Sequence, residues 1–160
     1  MDIHVLPCLR YESQTGKPMH VSYPENPVSL GDKIRKKRMD LKLLQKDVAK
    51  ILGVTEDSIT NWEKNRSVPQ IQFFPVIIQF LEYLPFDFDL TTISGKLKTY
   101  RHLKGISQKR LGTILNVDGA TVCSWEQNEF QPYEKTLKKL IKLFDEVPLI
   151  ARSDSEQVIT

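Results

Sequence analysis

The side chains best suited to chemistry stand together in one short stretch: Glu56, Asp57, Thr60 and Asn61 within EDSITNWE. At helical spacing they lie opposite Ile59 and Trp62, and they offer carboxylate acceptors, a hydroxyl and a carboxamide. This is the chemistry of recognition by hydrogen bonds. Gln45, Lys46, Lys64 and Arg66 flank it, an amide and three cations suited to holding an anion. Catalysis finds no support. There is no Ser-His-Asp set, no Gly-rich phosphate loop and no cluster of carboxylates. His4, His20 and His102 share no metal spacing, nor do Cys8 and Cys123, so neither a metal nor a cofactor is expected. Thr113 and Cys123 read as ordinary helix positions.

These residues belong to a duplication. Gln45 to Pro69, QKDVAKILGVTEDSITNWEKNRSVP, returns as Gln108 to Pro132, QKRLGTILNVDGATVCSWEQNEFQP. Trp62 and Trp125 stand 125 − 62 = 63 residues apart. The same offset, with no gap, pairs Arg38 with Arg101, Gln45 with Gln108, Leu52 with Leu115, Glu63 with Glu126 and Pro69 with Pro132. Such self-similarity takes precedence over any other fold reading. In the second copy the outward positions become Gly119, Ala120, Cys123 and Ser124, too short for a two-pronged hydrogen bond. Gln108, Lys109 and Arg110 keep the anion-holding end.

Each copy must place these groups with a helix, a sharp turn and a second helix. A first helix is predicted over Leu30 to Met39, with Leu30 and Ile34 inward. In the next, Val48, Ile51 and Leu52 recur as a buried stripe, while Ala49 and its counterpart Gly112 are small where the following helix crosses. Gly53 and Asn116 suit a left-handed turn, and Thr55 and Asp118 suit the cap of the helix that follows. Asn65 and Asn128 suit its C-terminal end. Ile59, Trp62, Val122 and Trp125 are assigned to the core; stacking of the tryptophans on bases is the alternative.

Beyond Pro69 the copies diverge. Phe73 to Tyr83, FFPVIIQFLEY, is apolar nearly all round, with Pro75 tolerable only in a first helical turn. Thr136 to Glu146 is an amphipathic helix with Leu137, Leu140, Ile141 and Phe144 inward. The first of these must bury more than one face. Its cover is the second repeat, or else a homodimer or protein partner through Phe73 to Phe88.

The chain has 160 residues, a net charge of +3, 40% hydrophobic and 27% charged residues, the balance of a globular protein. No apolar run is long enough for a membrane span and no signal-peptide pattern leads the chain, so no membrane partner is expected. With two distant cysteines, a reduced, cytoplasmic compartment is the default. Basic residues cluster at Lys33, Arg35, Lys36, Lys37, Arg38, Lys42, Lys46 and Lys50, and again from Lys96 to Arg110. Two clusters at equivalent places point to a surface that meets phosphate; solvated helix faces are the plain alternative. The expected fold is all-α: two small helical domains over 30–84 and 93–147 joined by a linker at 85–92. An irregular arm, 1–29, precedes them, with Tyr23 and Val28 packed on the first domain, and a frayed tail, 148–160, follows. Arg10 and Lys17 give the arm a thin basis for touching a DNA groove; packing or disorder is the plainer reading.

The first copy's Arg38, Gln45, Ala49, Gly53, Val54, Ile59, Trp62, Glu63 and Pro69 resemble the helix-turn-helix regulators of the phage repressor and Cro type, also called the xenobiotic-response-element type. Arg101, Ser107, Gln108, Val117, Val122, Trp125, Glu126 and Pro132 repeat the pattern. The resemblance implies a lambda-repressor-like fold, double-stranded DNA as partner, and structural ion pairs Arg38–Glu63 and Arg101–Glu126. On that view Glu56, Asp57, Thr60 and Asn61 read base edges, and Gln45, Lys46, Lys64 and Arg66 hold phosphate. Gln108, Lys109 and Arg110 hold phosphate in the second unit, with Gly119, Ala120, Cys123 and Ser124 toward DNA, or that unit serves packing or partner binding. A repressor-like transcriptional regulator is the expectation. The alternative is an interaction or accessory module on the same fold, antitoxin-like or belonging to a mobile element or defence system.

Overall fold

In the computed structural model, which describes residues 23–145, most helices start at a residue that closes their free amides. Ser29 and Asp32 form a reciprocal pair at the start of α1 (Leu30–Asp40): the Ser29 hydroxyl accepts from the Asp32 amide, and the Asp32 carboxylate accepts from the Ser29 amide, both at 3.0 Å. Leu44 has no hydroxyl to offer α2 (Gln45–Leu52), and there Asp47 reaches back to the Leu44 amide. Thr55 caps α3 (Glu56–Glu63), Ser107 caps α6 (Gln108–Leu115) and Asp118 caps α7 (Gly119–Glu126). Thr92 does the same for α5 (Ile93–Lys104). Gly53 and Asn116 end α2 and α6 at φ 67° and 59°, and Asn65 and Asn128 follow at 54° and 60°. The turn and cap residues fall where the sequence places them.

A 3₁₀ turn (Ile71–Phe73) leads into α4 (Phe74–Leu81), with Pro75 inside its first turn, and α8 (Glu134–Asp145) closes the described chain. The described residues are all-helical, with no strand. None of their helices is long and apolar enough to cross a membrane.

Two cores form at equivalent positions. Ile34, Val48, Leu52, Ile59, Trp62 and Ile77 are buried in the first; Leu97, Leu111, Leu115, Val122, Trp125 and Leu140, each 63 residues on, are buried in the second. Both tryptophans are 5% exposed, so neither is available to stack on a base. A side chain at Gly112 would meet the Val117 carbonyl at 2.7 Å, which is why the position stays small.

Three expectations need correction. Ile51 is 54% exposed and Ala49 takes its place in the buried stripe. In α8, Ile141 is 50% exposed while Leu143 packs on the core. Val28 is 87% exposed and does not pack on the first domain, although the Tyr23 hydroxyl is tied to Asp40 at 2.6 Å. The arm over 1–22, with His4, Cys8, Arg10, Lys17 and His20, and the tail over 148–160 lie outside the described residues.

The apolar α4 is covered from within the chain. Ile77, Phe80 and Leu81 join the first core, whereas Phe74 and Ile78 are buried outside both cores, and α4 packs against α5. Phe74, Phe86, Phe88 and His102 form a ring cluster with centroids 4.7–5.3 Å apart. Lys33 donates to the Pro85 carbonyl at 2.7 Å, so the segment between α4 and α5 is tied to α1. These contacts bury much of Phe73 to Phe88, the stretch expected to meet the second repeat or a dimer or protein partner, while Val76 stays exposed.

Candidate nucleic-acid interface

The α2–turn–α3 pair is locked at its base by one hydrogen-bonded network. Arg38 on α1 donates through Nε and Nη2 to the two carboxylate oxygens of Glu63, at 2.6 and 2.8 Å. Its Nη1 donates to the Leu43 carbonyl at 3.1 Å, so the same guanidinium also holds the loop entering α2. Gln45, the first residue of α2, donates from Nε2 to Glu63 at 2.9 Å and accepts from the Thr60 hydroxyl at 3.0 Å. Glu63 is 4% exposed. A carboxylate so buried keeps its charge only with such a set of donors around it.

The network recurs one copy later. Arg101 donates to Glu126 at 2.5 and 2.9 Å and to the Ile106 carbonyl at 3.1 Å, and Gln108 donates to Glu126 at 2.8 Å. Cys123 stands where Thr60 does, so the hydroxyl link is missing. Ser94 adds a contact of its own, donating to the Glu126 carbonyl at 2.5 Å.

Around this base the named residues sort themselves. Glu56 and Asp57 are exposed in the first turn of α3, where their charge also suits the helix N-terminus. Asn61 is half-buried, and its carboxamide makes no hydrogen bond among the described residues, so its donors and acceptor are uncommitted. The Thr60 hydroxyl donates its one hydrogen bond to the Gln45 carboxamide oxygen. Lys46, Lys64 and Arg66 are exposed, as are Lys109 and Arg110. Gln45 and Gln108 each commit one amide hydrogen to the buried glutamate, which leaves the second for an outside acceptor.

On α7, Ala120 is exposed, and Cys123 and Ser124 are half-buried. Gly119 is packed in: a side chain there would meet the Lys109 backbone at 2.9 Å, so its surface is shared with α6. Thr121, equivalent to Ser58, is also exposed on this helix. Among the described residues, no group of three or more His, Cys, Asp or Glu is placed to hold a metal ion.

Residues 34–88 match the family model described as helix-turn-helix. The matched segment, roughly a third of the chain, runs from within α1 through α4 into the segment that follows, and α2 and α3 are its helix-turn-helix pair. No curated protein and no solved structure matches the chain.

Proposed function

We propose that this chain is a sequence-specific, double-stranded DNA-binding transcriptional regulator, repressor-like and of bacterial or phage type, acting in the cytoplasm with two helix-turn-helix units, 30–84 and 93–147. One observation carries the reading. The Arg38–Glu63–Gln45–Thr60 network fixes α3 against α2 while Glu56, Asp57 and Asn61 stay outward and uncommitted. A helix must present its N-terminal half in this way to enter the major groove.

In this reading Asn61 pairs with adenine, and Glu56 or Asp57 accepts from a cytosine amino group. Lys46, Lys64 and Arg66 hold phosphate, helped by the free amide hydrogen of Gln45. Thr60 serves as a positioning residue. The second unit grips backbone through Gln108, Lys109 and Arg110, while Ala120, Cys123 and Ser124 offer small surfaces to thymine methyls. Because α4 and α5 pack together, the two units form one unequal pair suited to an asymmetric site, and the second raises the effective concentration of the first.

Selection of bound duplexes from a random pool tests this directly. A shared motif is expected, and it should be lost or relaxed at one position in Asn61→Ala, at a cost of about 1–3 kcal/mol for that base pair. Lys46→Ala should weaken binding to all duplexes and lower the salt slope by about one. A pool that yields no motif at low salt, together with stable capture of a protein neighbour, would replace this reading with the interaction-module one.

A further inference from the structure

A cavity of about 180 Å³ lies between α5, α8 and the segment before α5. Leu90, Leu103, Ile141 and Phe144 give it apolar walls, and Thr99 and Tyr100 line it from α5. Thr99 is 3% exposed, and its hydroxyl oxygen is sealed from solvent with no hydrogen-bond partner. Among the described residues no other buried side-chain oxygen or nitrogen is left so. A buried hydroxyl without a partner costs stability, and its persistence asks for a reason.

The fold does not require it. The equivalent residues of the first copy are Lys36, Lys37 and Asp40, which are solvated or paired: Lys36 donates to the Glu25 carbonyl, Lys37 pairs with Glu82, and Asp40 accepts from Tyr23. The second copy carries Thr99, Tyr100 and Leu103 there. Three hydrophilic positions have become the wall of a cavity.

We propose that this cavity binds a small neutral aromatic molecule carrying one hydrogen-bonding oxygen. An apolar cavity of roughly 150 Å³ holds a benzene ring, so this one fits a ring with one or two substituents. Tyr100 and Phe144 stand edge-to-face with centroids 6.0 Å apart and supply an aromatic wall for that ring. The Thr99 oxygen is covered in the observed conformation, and threonine in a helix has a second accessible rotamer, so pairing with the ligand oxygen takes a rotation about its Cα–Cβ bond. The charged lining residues, Lys96 and Asp145, are of opposite sign and exposed, which favours a ligand without net charge.

The test uses p-cresol and p-xylene, which differ in one hydroxyl for one methyl, titrated into the full chain without DNA. Calorimetry and amide shifts read the result. p-Cresol should saturate, with shifts centred on Thr99, Leu103 and Ile141, and p-xylene should bind about tenfold more weakly. Thr99→Val keeps the shape and removes the hydroxyl, and it should bring the two ligands to equal affinity in a folded protein. Leu103→Trp fills the cavity and should abolish both. Failure of both ligands to saturate overturns the proposal. So does a cresol preference that survives Thr99→Val, or binding that survives Leu103→Trp. Since no DNA is present, these outcomes leave the DNA-binding reading to its own duplex assays.

Discussion

Thr60 donates a hydrogen bond to Gln45 at 3.0 Å, whereas Cys123, at the same place in the second copy, makes none to Gln108. The carboxamide of Gln45 is therefore held at both ends, by Thr60 and by Glu63, and that of Gln108 at one. A held amide presents its remaining hydrogen in one direction. Thr60→Val should lower unfolding free energy by about 1 kcal/mol and weaken binding to the selected duplex several-fold, as measured by denaturation and fluorescence anisotropy. The reverse change, Cys123→Thr, should gain roughly 0.5–1 kcal/mol by completing the second network.

The two buried ion pairs set how firmly α1 holds the end of α3 and α5 holds the end of α7. Side chains of Glu63 and Glu126 are 3% and 4% exposed, so removing either strands an arginine that is itself largely covered. Glu63→Ala and Glu126→Ala should each cost about 3–5 kcal/mol in chemical denaturation. Replacing both partners, as in Arg38→Met with Glu63→Leu, should recover much of that loss, because no charge is left uncompensated. An equal loss in the single and double variants would show that the pair contributes more than mutual neutralisation.

Much of this is legible in the sequence alone. Trp62 and Trp125, the caps at Thr55 and Asp118, and the left-handed Gly53 and Asn116 each obey a local rule, and the offset of 63 lets one copy check the other. The errors lie where a rule has too little chain to act on. Val48, Ala49 and Leu52 span an arc of about 100°, and Ile51 falls about 100° from its centre. In an eight-residue helix, a small alanine at one rim and a large isoleucine at the other look alike to a hydrophobic pattern. In α8, Ile141 and Leu143 flank the buried Leu140 on opposite sides, two large apolar rims that a hydrophobic pattern does not tell apart, and Leu143 is the one that packs on the core. The double duty of Gln45 was hidden too, since a glutamine at a helix start gives no sign of the buried carboxylate 18 residues on.

Gly105 shows how closely the copies are joined. It holds φ 64° at the end of α5, and an added side chain would meet Pro75 at 2.9 Å and the Gln72 carbonyl at 3.2 Å. Gly105→Ala therefore incurs both left-handed backbone strain and a clash across the α4–α5 contact, and should cost about 1–3 kcal/mol. Its counterpart Lys42 holds φ 56° and is exposed. Lys42→Gly should instead stabilise by up to roughly 1 kcal/mol, since glycine adopts that conformation freely. Thermal unfolding of the two variants gives opposite shifts if the contact is as described.

His102 makes the joint between the copies sensitive to acid. Its ring lies against Phe74, Phe86 and Phe88, and its Nδ1 is 2.6 Å from the Lys98 carbonyl. Burial holds its pKa below the ordinary histidine value of 6.5; the Lys98 carbonyl and Glu126 oppose that shift, and Arg101 reinforces it. The unfolded chain therefore takes up the proton at a higher pH than the folded one. The stabilising contribution is complete above about pH 6.5 and is lost as pH falls through the folded value. Thermal unfolding should show Tm a few degrees lower at about pH 5.5 than at about pH 7.5, and His102→Phe should flatten most of that slope. Asp32, whose carboxyl is held below its usual 3.8 chiefly by the Ser29 hydroxyl, loses its contribution only at more acid pH and so does not enter this window. A slope unchanged by His102→Phe would place the acid sensitivity elsewhere in the chain.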